Sequence, residues 1–198
     1  IELKVNGPGG HSSMPPLKEE NPISIIGNAV AKLEANPFPA HFGKDTPMRN
    51  MLETVAWRMT PVMRLVCGNF WLFGSLMKHI LSNISNGAAA SVRTTTAVTM
   101  IKGGAKFNVL PYSASAYVNH RIHPSDSVYT VLERDRKIMN DDRVHMRVLN
   151  FSIPASPQSR TSVDAYHRIQ RCVQAVFGYP TAPIVLTGNT DTRHYHDL

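Results

Sequence analysis

The sequence has no long apolar run, and only 2 of its 198 residues are cysteine. A helix that spans a membrane needs about 18 to 20 consecutive apolar residues, and no segment approaches that length. Cys67 and Cys172 are too few for a disulfide framework, so they leave the redox compartment open. With 42% hydrophobic and 18% charged residues, the composition excludes a disordered chain and predicts one domain and part of a second.

The basic residues form no cluster. The chain has 21 Lys and Arg against 14 Asp and Glu, a net charge of +7, which suits nucleic acid, an anionic membrane surface or a carboxylate ligand. No three Lys or Arg residues are adjacent, and this scatter favours an ordinary solvated surface. The basic-aromatic motif of RNA-recognition domains is also missing. We therefore predict no nucleic-acid partner and no transmembrane segment.

Common catalytic motifs are missing as well. The sequence contains no H-E-x-x-H, C-x-x-C, H-x-D or G-x-S-x-G, and neither a phosphate-binding loop nor a dinucleotide-binding glycine motif. His194 and His196 flank Tyr195, but zinc needs at least three protein ligands, usually from separated segments. Local chemistry thus predicts substrate-handling groups without a metal site.

The apolar patterning predicts alternating strands and helices. Residues 1–6 alternate apolar and polar side chains, as in a half-buried strand. Asn21 and Pro22 are typical of a helix start, and helical spacing continues to about Asn36. By the same reasoning we place strands at 93–101, 113–122 and 144–149, and a helix at 126–139. Without residues 40–91 this order is βαββαβ, the arrangement of ferredoxin-like domains.

Two segments lie outside that pattern. Residues 40–91 are rich in methionine and aliphatic residues, and a break at Gly68 and Asn69 predicts two short apolar helices joined by a turn. Such a pair is more typical of packing than of a binding surface for an apolar ligand. Further on, we predict a helix at 162–177 that ends at Gly178, and a short buried strand at 183–186.

Several polar residues have the chemistry of a binding or catalytic site, each with an ordinary alternative. His11, in a glycine-framed loop, suits an oxyanion donor or acid-base group, or it caps a backbone carbonyl. Asn108 suits a carbonyl or carboxylate anchor, or a turn cap. Arg121, on the polar face of a strand, suits a carboxylate or a surface salt bridge. Arg193 lies in the loop GNTDTRHYH, whose backbone can hold an anion. His120 falls on the apolar face, which predicts a core histidine.

Five motifs together carry a family resemblance: GPGGHSSMPP, NPI, KFNVLP, VNHRIHP and GNTDTR. In this order the chain resembles the M20 family of zinc metallopeptidases, and most of all its carboxypeptidase S branch, which includes N-fatty-acyl-amino-acid synthase/hydrolases. The resemblance covers essentially the whole chain. It implies a ferredoxin-like lid inserted into an α/β catalytic domain that binds two zinc ions. Residues 1–155 are then the lid with its helical insert at 40–91, and residues 160–198 are part of the catalytic domain.

The resemblance also implies roles for the matched residues. His11 corresponds to a lid histidine that polarises the scissile amide carbonyl, often in the partner subunit's active site. Asn108 and Arg121 correspond to residues that hold the carboxylate end of the substrate. The last matched positions form the substrate-binding loop of the catalytic domain: Gly188, Asn189 and Arg193.

From this we expect a piece of a longer hydrolase, because the chain begins without Met and ends in a loop. The family's zinc ligands and catalytic Glu then lie outside residues 1–198, so that no metal ligand is assigned here and the piece alone is inactive. The expected reaction is hydrolysis, or reversible formation, of the amide bond of N-acyl amino acids or small peptides, in a secreted or vacuolar homodimer formed through the lid. The alternatives are a non-catalytic dimerisation or binding module and a truncated pseudo-enzyme.

Overall fold

The computed structural model describes residues 1–16, 18, 20–149, 159–186, 188, 191 and 195. These residues fall into two compact units. The first unit is built from residues 1–38, 94–122 and the described residues from 126 to 149, and the second from residues 39–93, 123–125 and the described residues from 159 onward.

Strands and helices follow one another along the chain as predicted, with additional short elements. The strands are β1 (Glu2–Asn6), β2 (Gly10–His11), β3 (Thr95–Gly103), β4 (Val109–Leu110), β5 (Ser113–Arg121) and β6 (His145–Arg147). The helices are α1 (Pro22–Ala35), α2 (Pro47–Val55), α3 (Pro61–Gly68), α4 (Phe70–Ile84), α5 (Asn86–Val92), α6 (Val128–Met139) and α7 (Asp164–Phe177), with a short 3₁₀ helix at Ala56–Arg58. None of the helices in these segments is long and apolar enough to cross a membrane.

The first unit contains a four-stranded antiparallel sheet in the order β3-β5-β1-β6. Helix α1 lies in the connection from β1 to β3, which passes over β5 in the sheet. Helix α6 lies in the connection from β5 to β6, which passes over β1. This is the split βαβ topology of ferredoxin-like domains. The predicted fold class is confirmed.

The core of this unit lies on one face of the sheet. Leu3 and Val5 of β1 and Ala114, Ala116 and Val118 of β5 are buried against helix residues. Alternation along the strands therefore turns the intervening side chains to the opposite, open face. Each large apolar side chain that is fully buried here stabilises the fold by about 1.5–3 kcal/mol.

Local capping explains where the helices begin and end. Asn21 Oδ1 accepts a hydrogen bond from the backbone N–H of Ile23 at 3.0 Å, and Pro22 occupies the first turn of α1. Helix α7 ends at Gly178, whose φ of 67° places it in the left-handed region. The predicted limits of these two helices are therefore close to those observed.

The second unit has its own small core, formed by the insert helices. Leu52, Cys67, Phe70 and Met77 are buried together, and partly buried methionines pack around them. The predicted helix pair is confirmed as α3 and α4, with its break at Gly68 and Asn69. Helices α2 and α5 were not predicted. Helix α5 consists of small residues, so its sequence lacks the recurring large apolar residues that indicate a helix.

The predicted strand at 183–186 is wrong. The structure assigns no strand there, and Ile184 and Leu186 are 69% and 63% exposed. A strand needs partners for its backbone N–H and C=O groups, and in the described residues no other strand pairs with this segment. Apolar character alone therefore does not make this segment a strand.

Candidate functional site

A short antiparallel ladder brings two of the predicted site residues together. In it, His11 of β2 lies opposite Val109 of β4, and Gly10 lies opposite Leu110. The backbone N–H of Ser12 also donates to the carbonyl oxygen of Asn108 at 3.1 Å. His11 and Asn108 are therefore neighbours at one end of the first unit, although they are far apart in sequence.

Local hydrogen bonds favour one tautomer of His11. Its Nδ1 lies 2.8 Å from Ser13 Oγ and accepts from the backbone N–H of Ser13 at 3.4 Å. A nitrogen that accepts from an N–H carries no hydrogen in the neutral ring, so that the hydrogen lies on Nε2. The imidazole is exposed, and Nε2 is then a hydrogen-bond donor suited to an oxyanion.

Two glycines shape the loop that carries His11. Gly9 has a φ of 66°, and a Cβ built on it lies 2.6 Å from the ring of Tyr112. A Cβ on Gly7 lies 2.7 Å from Pro22 Cγ, and the Gly7 N–H donates to the carbonyl oxygen of Tyr112 at 2.8 Å. The GPGG segment is therefore required for close contact with Tyr112 and Pro22 as well as for the turn itself.

Arg121 is exposed and lies at the other end of β5, where it pairs with Thr95. β5 begins at Ser113, next to the β4 residues that pair with the His11 loop, and eight steps of ~3.3 Å separate its first and last residues by ~26 Å. Within one chain, Arg121 is therefore not brought together with His11 and Asn108.

The substrate-loop residues lie mostly outside the described part of the chain. Gly188 is described and exposed, whereas Asn189, Arg193, His194 and His196 are among the residues outside the description. Their predicted roles stay predictions.

His120 is confirmed as a core histidine, and it has a partner that sequence reasoning missed. Its Nε2 lies 2.8 Å from Asp135 Oδ2, and its Nδ1 lies 3.2 Å from Thr96 Oγ1. The ring also contacts Phe38 edge to face. Asp135 lies on the buried face of α6 between Val131 and Met139, each four residues away. This spacing places an aspartate among core residues, and it could have predicted a buried partner for His120.

A second polar group that sequence reasoning missed lies on the open face of the sheet. The hydroxyl of Tyr117 donates to Glu2 Oε1 at 2.9 Å, and Arg147 donates to Glu2 Oε2. These two hydrogen bonds, with that of Tyr117 the larger effect, hold the pKa of Glu2 below its ordinary value. The same bond to Glu2 raises the pKa of Tyr117, because an ionised phenol could no longer donate.

The residues that the structure describes do not fit a zinc site. No group of three or more His, Cys, Asp or Glu side chains is placed among them to hold a metal ion. His11, Asn108 and Arg121 supply a ring N–H donor, an amide and a guanidinium.

The fold and the paired loops define a ferredoxin-like domain with exposed polar groups at its ends, and comparison with known proteins identifies its family. The sequence profile of the M20 peptidase dimerisation domain matches residues 1–146. The chain belongs to the M20 peptidase family, as its motifs predicted.

The chain is similar to several curated proteins over its whole length. It is 41% identical over 201 residues to the N-fatty-acyl-amino acid synthase/hydrolase PM20D1 of Xenopus tropicalis, and the alignment covers 100% of this chain and 38% of that protein. It is 35% identical over 199 residues to the probable carboxypeptidase S-like 2 of Dictyostelium discoideum, covering 100% and 37%. The chain thus spans less than half the length of these relatives.

Solved structures show the same fold. The M20 family metallo-carboxypeptidase Sso-CP2 from Sulfolobus solfataricus matches with a TM-score of 0.57 at 15% identity, over 98% of this chain and 52% of that one. Human carnosine dipeptidase 1 matches with a TM-score of 0.52 at 12% identity, over 96% and 43%. At this level of identity the likeness concerns the fold.

Proposed function

We propose that the protein that carries this chain hydrolyses, or reversibly forms, the amide bond of N-acyl amino acids or small peptides. The relatives support this reaction class, because they include N-fatty-acyl-amino acid synthase/hydrolases and a carboxypeptidase. In this proposal residues 1–155 are the lid and residues 160–198 belong to a catalytic domain. The chain contributes substrate-binding groups, whereas the two zinc ions expected from the family are held by residues outside it.

Within the proposed reaction, His11 donates Nε2–H to the amide carbonyl oxygen as negative charge develops there, and the neighbouring Asn108 helps to bind the carboxylate end of the substrate. Arg121 binds the carboxylate of the substrate through its guanidinium fork. In the catalytic domain, Gly188, Asn189 and Arg193 belong to a substrate-binding loop. We place the protein in a secretory or vacuolar compartment, as the resemblance implies.

The positions of three residues are the main structural support for the proposal. His11 and Asn108 lie together at one end of β5, and Arg121 lies ~26 Å away at the other end. A dipeptide-sized substrate is too short to contact both ends of one chain. In a homodimer formed through this domain, the His11 end of one copy and the Arg121 end of its partner meet at one substrate. The site is then complete only in the dimer.

Mixing two inactive variants tests this arrangement directly. His11→Ala and Arg121→Ala proteins of full length are purified separately, mixed, dissociated and reassociated, and assayed on an N-acyl amino acid. A mixed dimer contains one site with both residues intact and one site with neither. Since half of the randomly formed dimers are mixed, we expect about a quarter of the wild-type activity to return.

A matched pair serves as the control. His11 and Asn108 belong to the same end of the same copy, so mixing His11→Ala with Asn108→Ala restores no activity. If the first mixture also stays inactive although mixed dimers form, the residues act within one copy or not at all, and the composite site is wrong.

The alternative is a non-catalytic dimerisation module. The matching family profile is that of a dimerisation domain, and β3 is a nine-residue strand at one end of the described sheet. For the isolated 198-residue chain we expect dimerisation without amide hydrolysis. Chelator-sensitive hydrolysis by the purified chain would contradict the assignment of the zinc ions to residues outside it.

A further inference from the structure

A basic groove lies where β1, β3 and the start of β5 meet the segment from Gly104 to Tyr112. Its volume is about 710 Å³, within the range of ~300–1,000 Å³ that is typical of small-molecule sites. The floor is formed by β1, β3 and the first residues of β5, and the segment from Gly104 to Tyr112 forms one wall. None of the roles assigned above uses this groove.

The strand register aligns two lysines across the floor. Lys4 of β1 and Lys102 of β3 are both paired with Ser115 of β5, one on each side. Because neighbouring strands are ~4.8 Å apart, the Cα atoms of the two lysines are ~10 Å apart, with the Ser115 hydroxyl group between them. Side chains of directly paired residues lie on the same face, so both lysine side chains extend from the face that carries Ser115.

A third cation comes from the wall. Lys106 lines the same groove from the segment between β3 and β4. Among the ion pairs formed by the residues that the structure describes, none involves Lys4, Lys102 or Lys106. The ammonium group of Lys102 lies 5.6 Å from the ring centre of Tyr117 and leaves its charge available to a ligand.

The one carboxylate that lines the groove is already neutralised. Glu2 accepts from Tyr117 through one oxygen and forms a salt bridge of 2.6 Å with Arg147 through the other. Its charge is balanced by Arg147 and interacts also with Lys4, so that one carboxylate faces three lysines and an arginine. The groove keeps a net positive charge that favours an anion.

The remaining wall is apolar and exposed. Val109, Leu110 and Pro111 line the groove beside Tyr112, which is 72% exposed. The Tyr112 ring is packed against Gly9, so that this part of the wall is held in place by the loop that carries His11. An anionic end and an apolar end thus lie within one cavity.

We propose that this groove binds a monocarboxylate with an aliphatic chain, with the carboxylate between Lys4 and Lys102 over Ser115 and the chain along Val109 to Tyr112. A free fatty acid and an N-acyl amino acid share this chemistry. RNA fits the groove less well, because Lys102 already lies over the Tyr117 ring on which a base would stack, and the acidic Glu2 also lines the groove. This inference concerns binding alone and does not rest on the proposed hydrolysis.

Binding of laurate and of N-lauroyl-glycine to the 198-residue chain, measured by titration calorimetry, tests the proposal. We expect saturable binding of one equivalent of ligand, weakened roughly tenfold or more in the double variant Lys4→Met, Lys102→Met, since it removes two charge-assisted contacts. The exposed Lys137 on α6 supplies the matched control, and Lys137→Met is expected to leave the affinity unchanged. The order of affinity of the two ligands distinguishes a fatty-acid site from an N-acyl-amino-acid site.

Three further ligands decide the remaining outcomes. Dodecanol keeps the chain without the charge, and acetate keeps the charge without the chain, so both are expected to bind much more weakly than laurate. Equal binding of dodecanol, equal binding of acetate, or laurate binding that is indifferent to the double variant would each overturn the proposal. Displacement of laurate by a short single-stranded RNA at low salt would overturn it in favour of a nucleic-acid surface. Because no catalytic step is measured, failure here is separate from failure of the proposed reaction.

Discussion

His120 Nε2 lies 2.8 Å from Asp135 Oδ2 in the interior of the first unit, where the two side chains are 5% and 0% exposed. The contact joins β5 to α6 across the core face of the sheet. Alternation then directs the next residue of the strand, Arg121, toward the open side. A buried polar pair thus helps to set the register of the strand end that presents a candidate substrate-binding residue.

Removing one member of this pair is expected to be strongly destabilising. Asp135→Ala leaves the buried His120 without its contact, and a buried polar group left without a partner costs about 1–3 kcal/mol of unfolding free energy. Urea denaturation followed by circular dichroism measures the difference. The control is Asp164→Ala, which removes the exposed pair with Arg168 and is expected to cost less than ~1 kcal/mol. Equal losses of unfolding free energy in the two variants would show that the buried contact stabilises the fold no more than the exposed pair does.

Two glycine substitutions are expected to have opposite effects. Gly9→Ala places a methyl group 2.6 Å from the Tyr112 ring at a positive φ, so that the loop must move, at a cost of roughly 1–3 kcal/mol. Gly27→Ala adds a methyl group to the exposed face of α1 with no atom within 4 Å and should stabilise by ~0.5–1 kcal/mol. Thermal denaturation compares them, and the ¹⁵N shift of His11 reports the loop movement. A stable Gly9→Ala protein with an unchanged His11 signal would contradict this account.

Most of the first unit could be predicted from sequence because its signals are local. Alternation located β1 and β5, and Asn21 with Pro22 marked the start of α1, since capping and strand periodicity depend on neighbouring residues alone. The failure at 183–186 has the opposite cause. An apolar tetrapeptide becomes a strand only if another strand pairs with it. The sequence of the tetrapeptide alone does not show whether such a partner strand exists.

The candidate site was predictable by residue and not by geometry. The motifs that carry His11, Asn108 and Arg121 are contiguous stretches, so each residue could be selected. His11 and Asn108 are brought together by the β2–β4 ladder, which pairs only two residues on each strand and has no recognisable sequence pattern. The length of β5 then places Arg121 at the other end. The row formed by Lys4, Ser115 and Lys102 was missed for the same reason, since register is a property of three strands together.

The ionisation of Glu2 provides a pH-dependent test of the open face. Because its pKa is lowered in the folded state, the carboxylate contributes stability at neutral pH, and that contribution is lost as pH falls below about 4.3, the ordinary value for Glu, through the folded pKa. Tyr117→Phe removes the largest single cause, Arg147→Met removes both a hydrogen bond and a charge, and each is expected to raise the pKa of Glu2 toward its ordinary value. Carboxyl ¹³C shifts followed during an acid titration measure both. An unchanged Glu2 titration in Tyr117→Phe would remove the hydrogen bond as the cause.

The insert helices offer a test of acyl-chain selectivity in the proposed reaction. Trp71 and Leu76 on α4 are 81% and 52% exposed, whereas Met77 on the same helix is buried in the insert core. If the exposed pair contacts a long acyl chain, Trp71→Ser with Leu76→Ser lowers kcat/KM for a long-chain N-acyl amino acid by roughly tenfold or more, because apolar contact area is lost. The N-acetyl substrate should be unaffected, and so should stability. Met77→Ser is the contrasting variant, since it disrupts the core and should reduce stability and both activities together. Equal losses on long-chain and acetyl substrates in the double variant would instead assign Trp71 and Leu76 to packing within the whole protein.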